Sequence, residues 1–365
     1  MEPLLDRMRR AALESGLVGF GVCRADPFPE VRDDLIARVR DGRAGRLRFT
    51  FADPGTSTDV RRSFPWAERL VVGAMAYLPE AGDPGPARPQ GGRIARFAVE
   101  DFYPPLRAAL EKLAGMAREA GHRAEVLVDD NRLVDRAAAV RAGVGWWGKN
   151  SMVLAPRYGP YLLLGSVVTD APLETSEPMR RTCGTCSACL PACPTGALVA
   201  PGILDASRCL AHWAQVPGVI PPEFREAMGD RVYGCDDCLD ACPPGRLVLE
   251  QARARRRGRV DLVELLRSSD RSLLARYGHF YIPRRQARYL RRNALVALGN
   301  GGGPEARAVL AGYLGHPDQL LRVHAAWALG RLGGSTSGAA LREGLGREKD
   351  AEVRHEIETA LEACR

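Results

Sequence analysis

Eight of the ten cysteines in this 365-residue chain fall in or between two short runs. Residues 183–194 read Cys183-x2-Cys186-x2-Cys189-x3-Cys193-Pro194, residues 235–243 read Cys235-x2-Cys238-x3-Cys242-Pro243, and Cys209 lies between. This is the bacterial ferredoxin pattern written twice, with the first cysteine of the second copy moved upstream to Cys209. Thiolates at this spacing hold 4Fe–4S clusters, and the cysteine before the proline ligates the other cluster of the pair. Cys183, Cys186, Cys189 and Cys242 are therefore assigned to one cluster, and Cys193, Cys209, Cys235 and Cys238 to the second. Paired zinc sites also use C-x2-C but need neither the third cysteine nor the trailing Cys-Pro. Cys23 and Cys364 stand apart and read as ordinary thiols. Two linked clusters form an electron wire, and a wire needs a terminus.

The second candidate for chemistry is Asp129, at the end of the apolar run Glu125–Val128. Asp130 or Asn131 can cap the helix that follows, Leu133 to Ala142, which leaves Asp129 available. Lone aspartates at strand ends are usually turn residues. Next comes Gly143-Val-Gly-Trp-Trp-Gly-Lys149-Asn150, which matches G-x-G-x-x-G and nearly matches a P-loop. Both nucleotide motifs require a strand directly before the glycines, whereas a helix precedes them here, so a nucleotide site is rejected. Lys149 is one of only three lysines, and a lysine among glycines suits a role for its compact ammonium, the alternative being a solvated turn residue.

These residues need a scaffold. Helical spacing over Glu2–Ser15 ends at Gly16, and a second helix over Leu106–Ala120 ends at Gly121. Apolar runs at 17–22, 70–77, 125–128 and 161–169 read as strands, giving an α/β domain with an exposed loop at 79–92. Beyond residue 285, Arg292 to Gly299 returns as Val323 to Gly330, and loosely as Arg354 to Leu361. Such a period describes HEAT-like helix pairs that bury their apolar faces only against each other. Net charge is +8, but residues 251–292 alone carry thirteen arginines, from Arg253 through Arg255, Arg256 and Arg257 to Arg292, against three acids. A basic stripe confined to one stretch suits a polyanion contact, the alternative being a solvated helical face. No run of eighteen apolar residues and no signal-peptide-like start exist, so a soluble cytoplasmic protein is expected.

Taken together, Val128-Asp129, Gly145-Trp146-Trp147-Gly148-Lys149-Asn150, Leu163-Leu164-Gly165, Thr169-Asp170, Cys193-Pro194-Thr195-Gly196-Ala197 and Tyr233-Gly234-Cys235-Asp236-Asp237-Cys238 resemble the epoxyqueuosine reductase family. The resemblance covers roughly residues 5–245 and, more loosely, the C-terminus. It implies an α+β multidomain enzyme: an α/β cobalamin-binding domain over 1–175, a ferredoxin-like domain with two 4Fe–4S clusters over 176–250, and a basic segment with HEAT-like repeats over 251–365. It also implies base-off cobalamin at the end of the wire, with epoxyqueuosine at the tRNA wobble position reduced to queuosine. Asp129 takes the role of proton donor, and burial would hold its carboxyl neutral for that task. Cofactor contacts implied by resemblance are Asp129, Val153, Leu164, Ala211, Cys235 and Asp236. The implied partners are a tRNA bearing epoxyqueuosine and an electron donor such as a flavodoxin or ferredoxin, with the enzyme acting as a monomer and without a membrane.

Three departures accompany the resemblance. Arg132 stands where the family usually has proline, Asp101-Phe102-Tyr103 replaces an Asp-Tyr-His segment, and Leu210 to Gln215 differs from the usual Ser/Thr-rich sequence. The alternatives are a cobalamin-dependent reductase of a small molecule, dehalogenase-like in chemistry, and a non-catalytic two-cluster electron carrier.

Overall fold

The computed structural model describes residues 2–78, 91–251, 258–302 and 304–364. It divides into two compact units between which the chain passes repeatedly. The first comprises Met1–Ala81, Glu100–Cys209 and Asp236–Arg255, the second Gly82–Val99, Leu210–Cys235 and Arg256–Arg365.

In the first unit the four expected apolar runs form one sheet, in the order Gly19–Arg24, Arg69–Ala76, Leu162–Thr169, Ala124–Val128. Alternation of helices and strands leaves the pairing direction open, and the register decides it: every pairing is antiparallel, with Val71 opposite Val167 and Val128 opposite Gly165. The strands are apolar almost throughout because both faces are covered. On one face Leu70, Val72 and Val168 pack with Leu133, Ala138 and Ala142. Against the other lies helix Tyr103–Glu119, whose Leu106, Leu110 and Leu113 are fully buried, each such side chain contributing roughly 1.5–3 kcal/mol. Gly165 makes that approach possible, since a Cβ there would stand 2.6 Å from Leu110 Cδ1. As expected, the helix closes at Gly121, whose φ of +88° suits glycine.

The expected loop at 79–92 requires a correction at its end. Residues 79–90 lie outside the described residues, but Gly91–Ile94 is a strand, with Gly91 and Gly92 opposite Asp261 and Val260. Residues without side chains carry no alternation, so this strand left no periodic signal.

The second unit contains the repeats. Helices Arg288–Gly301, Gln319–Leu332 and Ala351–Ala363 pack side by side, flanked by Pro304–Tyr313 and Gly334–Arg347. The recurring glycine has a steric reason: a Cβ on Gly299 would meet Ala328 Cα at 2.8 Å, and one on Gly330 would meet Ala360 Cα at 2.8 Å. Each repeat thus presses a glycine onto the next inner helix. His324 is fully buried, its Nδ1 2.7 Å from the Leu320 carbonyl while its Nε2 accepts the Ile220 N–H at 3.2 Å. Burial holds that imidazole well below its ordinary pKa, so it is a neutral structural histidine. No helix among the described residues is long and apolar enough to cross a membrane.

Candidate functional site

The glycine-rich motif is neither of the nucleotide folds it imitates. Helix Asp135–Arg141 precedes it, and Trp146–Trp147 pairs back on Val153–Leu154 as a hairpin. Alternation across the hairpin turns Trp146 inward, where it packs with Leu154 and Cys242, and turns Trp147 outward. Lys149 then meets the cysteine run. Its backbone N–H donates to Cys183 Sγ at 3.4 Å, and its ammonium donates to the Gly184 carbonyl at 2.7 Å. The turn therefore serves as a seat for the first cysteine.

Within the first unit, Cys183, Cys186, Cys189 and Cys242 are mutual electrostatic neighbours, and burial followed by that crowding pushes the Cys242 thiol up to about 11. Among the described residues no three His, Cys, Asp or Glu side chains close on a single metal ion. Four converging thiols and one orphaned donor fit an iron–sulfur cluster: Trp146 Nε1, buried beside Cys242, has no hydrogen-bond partner, and the sulfides of a cluster accept such bonds. Cys193 has its own support. Burial opposes its thiolate, yet the Thr195 hydroxyl and the N–H groups of Thr195, Ala197 and Leu198 prevail and hold the thiol below its ordinary pKa. Cys209 and Cys238 also belong to the first unit, whereas Ala211 and Cys235 belong to the second. Tyr161, directly before the strand Leu162–Thr169, donates its hydroxyl to Asp240 at 2.8 Å, tying the sheet to the cysteine-bearing helix Asp237–Asp240.

Asp129 leaves the sheet one residue past the Val128–Gly165 pair, level in register with Leu164. Its φ of +51° lies in the left-handed region, where Asp is among the few tolerated residues and where functional side chains recur. The side chain is accessible, yet enough protein surrounds it that desolvation, followed by the charge of Asp130, raises its pKa. Neither Asp130 nor Asn131 caps the next helix, contrary to the sequence expectation: the N-cap is Val134 without a side-chain bond. Asp130 is instead gripped by Arg132, through Nε at 2.9 Å and Nη2 at 2.6 Å, which holds it ionised. Arg132 also lies 5.0 Å over the Phe64 ring. The departure at 132 thus has a definite place, as the partner of the carboxylate beside Asp129.

Sequence reasoning passed over the next two residues. Asp135 is half-buried, with its Oδ1 shut off from solvent, and Arg136 beside it is exposed. Desolvation, then Asp129, pushes Asp135 far above the usual carboxylate range, and its Oδ1 has no hydrogen-bond partner. Arg136 donates to the Ser151 carbonyl at 3.3 Å and has Asp135, Tyr77 and Cys238 among its titratable neighbours. The only signal was an Asp-Arg pair at the start of the helix after Asp129. Val153 and Leu164, expected as cofactor contacts, lie in or against the same apolar cluster, Val153 being buried. Asp236 is 5% exposed.

The arginine stripe divides by use. Arg253, Arg255, Arg256 and Arg257 lie outside the described residues. Arg292 is fully buried, donating from Nη1 to the carbonyls of Val216 and Gly218 and from Nη2 to that of Trp213, each at 2.7 Å. Arg291 is buried against Asp270 and the Ser268 carbonyl. These two are struts, which corrects the reading of the stripe as one solvent-facing surface. Charge counting cannot separate the two uses, because a guanidinium clamped on carbonyls and one facing solvent are the same letter. Arg267, Arg271 and Arg284 are exposed and have no ion-pair partner among the described residues. Arg267, Arg285, Arg288 and Arg291 line a groove of about 850 Å³ that also contains Tyr313 and His316, their rings stacked 5.3 Å apart.

Family models described as a 4Fe-4S double cluster binding domain and as HEAT repeats match residues 182–245 and 283–362. The epoxyqueuosine reductase of Bacillus cereus is 34% identical over 360 residues, spanning 95% of this chain and 94% of that one. That of Bacillus subtilis is 32% identical over 376 residues, spanning 98% and 95%. A crystal structure of epoxyqueuosine reductase with an epoxyqueuosine-modified tRNA-Tyr stem loop aligns with a TM-score of 0.90 at 32% identity, covering 99% of this chain and 98% of that one. A Bacillus subtilis structure of the enzyme, with an aspartate catalytic loop swung out of the active site, also gives 0.90, at 31% identity and 99% of each chain.

Proposed function

Since the chain belongs to the epoxyqueuosine reductase family, we propose that it reduces epoxyqueuosine at the wobble position of tRNA to queuosine, the last step in making that nucleoside. The observation that carries this reading is one juxtaposition in the first unit. Asp129, with its raised pKa, has the half-buried Asp135 as an electrostatic neighbour, and Asp135 adjoins Arg136, which in turn has the cluster cysteine Cys238 as a neighbour.

Converting an epoxide to an alkene takes two electrons and two protons and releases one water. The seven cysteines of the two runs, with Cys209 between them, would hold the two clusters that carry the electrons. Cobalamin, held near Asp129, would supply low-valent cobalt as the reductant of the epoxide carbon. Leu164, which is level with Asp129, together with Val153 and Asp236, would hold it. Asp129 delivers a proton to the departing epoxide oxygen, because a leaving oxygen needs a proton and a neutral carboxyl can give one. Arg132 supports that state indirectly: by keeping Asp130 ionised it maintains a negative charge beside Asp129, which disfavours ionisation there.

The exposed arginines and the groove of the second unit take the RNA backbone, with the Tyr313–His316 stack offering a flat face to a base. A structural relative holding a modified stem loop supports this assignment. The enzyme acts in the cytoplasm as a single chain and takes electrons from a flavodoxin or ferredoxin. The test is anaerobic reconstitution with iron, sulfide and cobalamin, followed by incubation with epoxyqueuosine-bearing tRNA and excess dithionite as the electron source, and mass analysis of the nucleosides. Queuosine is expected. Unchanged epoxyqueuosine in protein carrying about eight irons and one corrinoid would refute the proposal.

A further inference from the structure

The motif around Lys149 seats a cysteine, but that does not account for the rest of its surface. Trp147 is 46% exposed, a large aromatic turned to solvent directly beside the cluster seat. Residues 184–188, including Cys186, are also exposed, so the cluster bound by Cys183, Cys186, Cys189 and Cys242 lies at the protein surface. The same surface is basic. Lys149 is anchored on Gly184, Arg180 and Arg181 directly precede the cysteine run, and Arg181 lies 5.7 Å over the inward-facing Trp146. No acidic residue occurs between Trp146 and Thr169 or between Pro178 and Leu204, although Glu174 and Glu177 stand just upstream.

A redox centre near solvent, with Lys149, Arg180 and Arg181 on the exposed side, Asp237 and Asp240 on the helix packed behind Cys189–Ala192, and one exposed aromatic, meets the requirements of a transient electron-transfer contact. Such contacts are small, rely on opposite charge for fast encounter, and need only a modest apolar centre. We infer that the face formed by Trp147, Lys149, Arg180, Arg181 and the exposed loop 184–188 is the docking site of an acidic one-electron carrier protein, which reduces the cluster beneath it. The inference rests on the two-cluster reading above. Each encounter oxidises the carrier by one electron and reduces the cluster by one. Two encounters, with two protons from the medium, match the opening of one epoxide to an alkene and water. A protein carrier is favoured over RNA here because the exposed group is a redox centre, whereas the exposed unpaired arginines of the second unit have no cluster cysteine among them.

The test uses the reconstituted full chain and an acidic flavodoxin reduced to its hydroquinone. Anaerobic stopped-flow spectroscopy follows the loss of visible cluster absorbance. The double variant Arg180→Glu with Arg181→Glu is expected to slow reduction by about tenfold or more at low ionic strength, the gap closing as salt is added. Trp147→Ala is expected to slow it without changing the salt dependence. Reduction by dithionite, a small ion that needs no docking, should stay within about twofold, and iron content should not change. Should both variants react with flavodoxin like the parent while retaining full iron, the docking face is wrong and the cluster reading stands. Absence of visible clusters in the reconstituted parent would overturn the cluster reading and the inference with it. If the double variant loses affinity for a tRNA stem loop instead of for flavodoxin, the face is an RNA surface. The reversal Arg267→Glu with Arg284→Glu should weaken RNA binding and leave the flavodoxin rate alone.

Discussion

Changing Asp129 to Asn isolates the proton from everything else this residue does. The backbone at 129 has φ of +51°, which Asn adopts as readily as Asp, so the amide imposes no conformational cost. Alanine would be a poorer probe, since a non-polar side chain in the left-handed region adds roughly 1–2 kcal/mol of strain. The amide keeps the size of the carboxyl but cannot release a proton to the departing oxygen. General acid catalysis is worth about 10²–10⁴ in rate, or roughly 3–5 kcal/mol at the transition state. The assay is single-turnover conversion of an epoxyqueuosine stem loop, read by nucleoside mass analysis, with iron and corrinoid counted in the same samples.

The pH profile supplies a second readout. Desolvation and Asp130 raise the Asp129 pKa, and a proton donor works in its neutral form. The parent rate should therefore fall as pH rises through that raised value, and the falling limb should be absent from the residual rate of the variant. Stability shifts in the matching sense. A carboxyl whose folded pKa is raised contributes stability that is present below its unfolded pKa and lost as pH rises through the folded value. The variant should therefore melt no lower than the parent at neutral pH. An Asn variant that turns over within about threefold of the parent and keeps the falling limb would remove Asp129 from the chemistry.

Three further outcomes are expected. Asp135→Asn should raise the melting temperature at neutral pH and converge with the parent in acid, because a half-buried carboxyl with an orphaned oxygen and a raised pKa resists ionisation; melting curves at several pH values that coincide throughout would contradict that raised pKa. Gly330→Ala places a methyl 2.8 Å from Ala360 Cα and should cost about 1–3 kcal/mol in denaturant unfolding, unless the inner helices can part; a cost below about 0.5 kcal/mol would mean the glycine packing is not tight. Reversing Arg267, Arg271 and Arg284 together should weaken tRNA binding and flatten its logarithmic salt dependence by about 0.9 for each phosphate left without its cation, read from titrations at several salt concentrations. An unchanged slope would take these arginines out of the RNA interface.

The chemistry in this chain is legible where residue type and spacing are themselves the constraint. A cubane needs thiolates at fixed intervals, so the cysteine runs name their cofactor before any fold is known. The Ala-Leu-Gly recurrence is legible for a similar reason, because each copy must press onto the next through a residue without a side chain. The strands and helices read from apolar periodicity fall within about three residues of those observed, whereas helix Pro29–Arg40 and strands Arg231–Tyr233 and Gly258–Asp261 were not read from it. Gly91–Ile94 was missed because its leading glycines carry no pattern.

What periodicity and spacing leave open are relations between residues distant in the chain. Antiparallel pairing of Val128 with Gly165 sets Asp129 level with Leu164, and no local pattern encodes a register across 37 residues. The pKa of Asp129 depends on how much protein surrounds it, which is a property of the folded volume. The same holds for Asp135 and Arg136, two letters at a helix start that gain Asp129, Tyr77 and Cys238 as neighbours only in the folded chain. Charge is the clearest case. Residues 251–292 carry thirteen arginines by composition, but only packing separates Arg292, spent on three backbone carbonyls, from Arg267, Arg271 and Arg284, which face solvent. A sequence fixes which groups a chain possesses; desolvation and long-range packing decide which of them remain available to a ligand.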